Sequence, residues 1–116
     1  MIFLNKIVVM NRGDSQDIIL DFKQDFAAFW PLPKDTTVYF GLMDPGQPFE
    51  RALIRKSFTA EDFTKDGELC IEITPDDTLD LLPAKYFYAV KLCFYDERNN
   101  EKVYTLINKT KFIICD

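Results

Sequence analysis

The feature that most constrains this chain is an alternation of apolar and polar side chains with a period of two. In Tyr86 to Tyr95, the residues Tyr88, Val90, Leu92 and Phe94 fall on one side, and Ala89, Lys91 and Cys93 on the other. A helix would scatter those positions around its axis, whereas a strand gathers them on one face. The same pattern places Ile18, Leu20 and Phe22 opposite Asp21, and groups Val38, Phe40 and Leu42 within Thr36 to Met43. Leu69, Ile71 and Ile73 alternate with Glu68, Cys70 and Glu72. No long stretch keeps the i, i+3, i+4, i+7 stripe of an amphipathic helix. Ile18, Leu20, Phe22, Val38, Phe40, Leu42, Leu69, Ile71, Ile73, Val90, Leu92 and Phe94 are therefore the predicted core.

Turn chemistry separates these runs. Arg12-Gly13-Asp14-Ser15 follows a first strand read in Ile2 to Met10, and Asp44-Pro45-Gly46 follows the third. Asp66-Gly67 precedes the Glu68 run, and Arg98-Asn99-Asn100-Glu101 makes a hairpin-like loop. Gly tolerates positive φ at such places and Pro presets a negative one. Two short helical turns are predicted: Thr59 to Asp62, and Thr74 to Asp77 with Pro at its first helical position and acids where the dipole favours them. Leu79 and Leu82 are expected to plug the second turn onto the core. Seven or eight strands, without strand-helix alternation, predict an all-β antiparallel sandwich in a single domain, residues 1–116.

At 116 residues with 47% apolar side chains, including eleven Phe, five Tyr and one Trp, the chain can bury a sizeable core without a metal or disulfide framework. Its net charge of −5 disfavours nucleic acid, because counterion release needs clustered cations. Arg51, Arg55 and Lys56 come nearest to such a cluster and read as a solvated strand face. Cys70, Cys93 and Cys115 leave an odd thiol in any pairing and have no metal-ligand spacing, which suggests free thiols and a reducing compartment. Alternation with Glu72 and Lys91 turns Cys70 and Cys93 outward. The apolar N-terminal run is too short to span a membrane and lacks signal-peptide flanks.

With no His in the chain, the commonest general base and the usual nucleophile triads are missing, so no catalytic residue is assigned. Asp76, Asp77 and Asp80 lie close together, but in a Pro-containing turn they read as cap and solvent groups, not as a glycosidase pair or an EF-hand. Arg12-Gly13-Asp14 spells an integrin-recognition tripeptide, yet its Gly and Asp have a local turn role. No Gly-rich phosphate loop, metal site or cofactor site is predicted. Phe26-Ala27-Ala28-Phe29-Trp30-Pro31-Leu32-Pro33 stands out, because its prolines disfavour a ladder position. One reading has Phe29 or Trp30 folding back to close an end of the sandwich; the other makes Phe26, Phe29 and Trp30 a contact for a neighbouring subunit.

The order of features resembles the immunoglobulin-like N-terminal domain of the phage baseplate upper protein family. The resemblance rests on Gly13-Asp14 before Ile18-Ile19-Leu20, on Thr37 to Leu42, and above all on Thr74-Pro75-Asp76-Asp77-Thr78 followed by Leu82-Pro83-Ala84-Lys85-Tyr86. It covers nearly the whole chain through short motifs. The aromatic Phe26 to Trp30 segment departs from the polar loop usual there. The resemblance implies an Ig-like fold and a non-enzymatic virion component of tail or baseplate, assembled in the host cytoplasm. Its partners would be other virion subunits, in a homo-oligomer or hetero-assembly. A stand-alone carbohydrate-recognition module and an inhibitor of a host protein are the alternatives.

Overall fold

A computed structural model describes residues 6–116. Among them are seven strands: β1 (Val8–Asn11), β2 (Gln16–Asp21), β3 (Thr37–Met43), β4 (Ile54–Thr59), β5 (Glu68–Ile73), β6 (Ala84–Tyr95) and β7 (Glu101–Cys115). The helices are short: α1 (Phe22–Asp25), α2 (Pro75–Leu79) and 3-10 turns at Ala27–Phe29, Phe49–Arg51 and Ala60–Asp62. The fold is all-β, as the alternation requires.

Five strands form one sheet in the order β1-β7-β6-β3-β4, and β2 pairs with β5 in a second. The pairings are antiparallel apart from β1 with β7, which run parallel. That corrects the wholly antiparallel expectation. The Arg12 amide donates to the Cys115 carbonyl at 2.6 Å, continuing the β1–β7 pairing one residue beyond the ladder. Of the first strand read from Ile2, the structure shows Val8–Asn11; residues 2–5 lie outside those described.

The inner faces of the two sheets form one core. Ile18 stands opposite Ile71 and Leu20 opposite Leu69, while Val38 pairs with Leu92 and Phe40 with Val90. All eight are buried in the same cluster, each such side chain contributing roughly 1.5–3 kcal/mol on leaving water. The β6–β7 register shifts between Tyr88 and Lys91. Two extra residues on β7 there let successive Leu106 and Ile107 both be buried, and such bulges sharpen local bend. The larger sheet curls into a half-barrel.

Several expectations need correction. Phe22 is buried but opens α1, because the Asp21 carboxylate accepts from the Gln24 amide at 3.2 Å and ends the strand as an N-cap. Phe94 is half-buried near the end of β6. Cys93 alternates to the outer side as expected but is buried there, and its thiol donates to the Glu101 carboxylate at 3.3 Å. Ala89, on the same outer side, is buried too, in the stretch of sheet that the Phe49–Arg51 turn covers. Cys70 is exposed, and all three cysteines are free. Leu79 and Leu82 are 56% and 74% exposed. The residue that α2 buries instead is Thr78, whose hydroxyl accepts from the Gly13 amide at 2.9 Å.

Candidate functional site

Both predicted capping turns form. Thr59 and Asp62 exchange side-chain and backbone hydrogen bonds, and so do Thr74 and Asp77. The second does more. Asp77 also meets Lys56 of β4 at 2.8 Å, with both side chains about four-fifths buried (22% and 21% exposed). Lys56 therefore leaves the solvated face on which the sequence put it, whereas Arg51 and Arg55 stay exposed. Burial works against the Asp77 carboxylate. Hydrogen bonds from Lys56 and Thr74, with the Lys56 charge, outweigh that and hold its pKa below the usual value.

The Phe26 to Pro33 segment lies at the opposite end of β5. Phe26 is 7% exposed, with its ring 5.0 Å from that of Phe22. Phe22 in turn meets Phe63 edge-on at 4.8 Å. Phe26 is thus a core residue, and any outward contribution of the segment falls to the half-buried Phe29 and Trp30. Phe29 leans on Tyr104 at 5.1 Å and Trp30 on Phe63 at 6.0 Å. Gly67, at φ 85°, makes room: a Cβ there would stand 3.0 Å from Lys23 Cγ and 3.3 Å from Trp30 Cε2. Of the three aromatics named from sequence, Phe26 and Trp30 join the Phe22–Phe63 cluster at this end of the core, while Phe29 packs on Tyr104 of β7.

Two surface features were not anticipated. On the outer face of the larger sheet, Tyr39, Phe49, Glu50, Arg55 and Ser57 border a groove of about 490 Å³. Phe49 reaches it by folding over Gly41, where a Cβ would lie only 2.8 Å from the ring. The Lys91 ammonium sits 5.0 Å from the centre of the Phe49 ring, a cation–π arrangement. The second feature is a groove of about 190 Å³ on the seam where β1 and β2 run side by side, bordered by Ile7, Val9, Ile18 and Ile19. Neither had a sequence signal beyond single exposed apolar residues, because periodicity gives a residue's face but not which elements border it.

Among the described residues no group of three or more His, Cys, Asp or Glu side chains could hold a metal ion. No described helix is long and apolar enough to cross a membrane. The most displaced hydroxyl, Tyr88, is pushed up to about 12 by burial and donates to the Lys6 carbonyl, so it serves the core. Asp76, Asp77 and Asp80 sit around α2 with Asp77 in its cap. No protein-family model and no curated protein matches the chain.

Proposed function

We propose that the chain is an Ig-like sandwich acting as a non-enzymatic assembly module of a bacteriophage virion, in its tail or baseplate. Support for the Ig-like part comes from the corner before β6, where the Tyr86 hydroxyl donates to the Leu82 carbonyl at 2.6 Å. A tyrosine bonding back across the corner into this strand is a hallmark of such sandwiches. The Thr-Pro-Asp-Asp-Thr to Leu-Pro-Ala-Lys-Tyr stretch that carries the family resemblance builds this corner.

The observation that carries the assembly role is the unprotected seam. Ile7, Val9 and Ile19 are 52%, 58% and 42% exposed beside β1 and β2, each at the margin of its own sheet. Free edges are ordinarily blunted by charge, proline or a covering loop. Apolar side chains flanking an open edge suit strand addition by another subunit. The test is mass spectrometry of purified virions of the encoding phage, with a Val9→Lys/Ile19→Lys variant alongside. The wild-type chain should be a virion constituent, and the variant should fold normally but be left out. Absence of the wild type from purified particles would end this reading.

Carbohydrate recognition, the second reading, draws on the aromatic groove. It is weaker because one face of Phe49 covers Gly41 and Lys91 lies over the ring. Tyr39, 40% exposed, is then the freer stacking platform. A glycan array would test it directly.

A further inference from the structure

The outward positions of the two sheets carry opposite charge. On the larger sheet, the residues alternating with the buried core include Arg55 on β4, Lys85 and Lys91 on β6, and Lys111 on β7. Tyr39, beside Lys91 in the register, adds aromatic surface between the cations of β6 and β4, and Val9, 58% exposed, adds apolar surface on the edge strand beyond Lys111. Glu50 and Glu101 offset this charge in part. On the smaller sheet the outward residues are Asp17, Ile19 and Asp21 of β2 and Glu68, Cys70 and Glu72 of β5.

The register makes the acidic side costly for the isolated fold. Asp17 stands directly opposite Glu72, and Asp21 opposite Glu68, and like charges facing one another across a strand pair destabilise it. Between these pairs lie Ile19, 42% exposed, and the exposed Cys70. An apolar centre with an anionic rim complements an aromatic and apolar face that carries interspersed cations.

We infer that the outer face of the five-stranded sheet docks the outer face of the two-stranded sheet of a second copy. This rests on the assembly reading and adds a face-to-face contact to the edge contact proposed there. Because the two faces are on opposite sides of one sandwich, the contact is head-to-tail. It leaves a free face of each kind, so it grows into a ring or a column rather than closing as a two-fold dimer. The acidic face is small: its strands of six residues span only about 20 Å at ~3.3 Å per residue. A single contact is therefore weak and salt-sensitive, and gains strength by repetition.

Sedimentation of the whole chain tests this with two neutralised variants, Asp17→Asn/Glu72→Gln on one face and Arg55→Gln/Lys91→Met on the other. Melting curves confirm that each is folded. Wild type should associate at low ionic strength, with affinity falling about tenfold or more as salt is raised from ~0.05 to ~0.5 M. Each variant alone should be monomeric. Mixed, they should form a one-to-one pair that grows no further, since one intact acidic face meets one intact basic face. A wild type that stays monomeric at about 1 mM in low salt overturns the contact, even if virions contain the chain, in which case the assembly reading stands. Loss of association in one variant only would indicate a symmetric contact and also overturns it. So would a glycan that binds the Tyr39 face of a non-associating chain.

Discussion

The two ends of the core are closed by different physics. At the end reached by Asp21 and Glu68, Phe22, Phe26, Phe63 and Trp30 stack over the core. At the other end, where Gln16 meets Ile73, polar atoms close the structure. Thr78 holds the Gly13 amide, Asp77 holds Lys56 and Thr74, and Tyr86 holds the Leu82 carbonyl. Aromatic closure tolerates inexact geometry because contact area, not direction, stabilises it. Polar closure is directional, and one missing partner leaves a group desolvated and unpaired.

The contrast can be broken at four points. Phe22→Ala should cost most, about 3–5 kcal/mol by denaturant unfolding, as a cavity in the fully buried aromatic cluster. A smaller loss would mean that neighbouring rings collapse into the space. Trp30→Ala should cost about 2 kcal/mol, since its indole is only half-buried. An unchanged melting temperature, with assembly lost, would instead restore Trp30 to a partner contact.

At the polar end, Thr78→Val keeps the side-chain shape but removes the acceptor for the Gly13 amide. It should destabilise by about 1–2 kcal/mol, with Thr78→Ser largely neutral; equal effects of the two would show that methyl packing matters more. Asp77→Asn should cost about 1 kcal/mol near neutrality, and more than Asp62→Asn in the matching turn, which has no Lys partner. The sign with pH follows from the lowered Asp77 pKa. Its stabilisation is present above the unfolded carboxylate value and is lost as pH falls through the folded one. The gap between wild type and Asp77→Asn should therefore close in acid, and a gap that persists there would assign the stability to the cap shape alone.

The same contrast explains what was legible in the sequence. Ile18, Leu20, Val38, Phe40, Leu42, Leu69, Ile71, Ile73, Val90 and Leu92 could be placed in the core because strand periodicity is a local property. The caps at Thr59 and Thr74 could be read too, since both partners lie three residues apart. Phe94 failed because alternation gives the face but not how far the opposite sheet extends over it. Leu79 and Leu82 failed because apolar character says nothing about which side of a short helix faces inward, and Thr78 took that place through a hydrogen bond to a glycine 65 residues away. Cys93 and Lys56 failed for the same reason, their partners Glu101 and Asp77 being supplied by other elements. In the aromatic segment the sequence did not single out Phe26 as the buried ring, and the seam at Ile7, Val9 and Ile19 was not foreseen at all.

The parallel pairing of β1 with β7 also bears on how the chain is made. Arg12 and Asp116, 104 residues apart, join in an ion pair at 2.8 Å, and β7 lies between β1 and β6 in the sheet. On a ribosome, β1 emerges early and has no partner until β7 leaves the exit tunnel. Until then β6 carries an unpaired edge. Contacts this distant along the chain slow folding and leave strand edges open to wrong pairings. Emergence of β7 from the tunnel thus seals β6, and only the emergence of Phe112 to Cys115 gives β1 its partner, so any delay before it prolongs the nascent chain's exposure to aggregation.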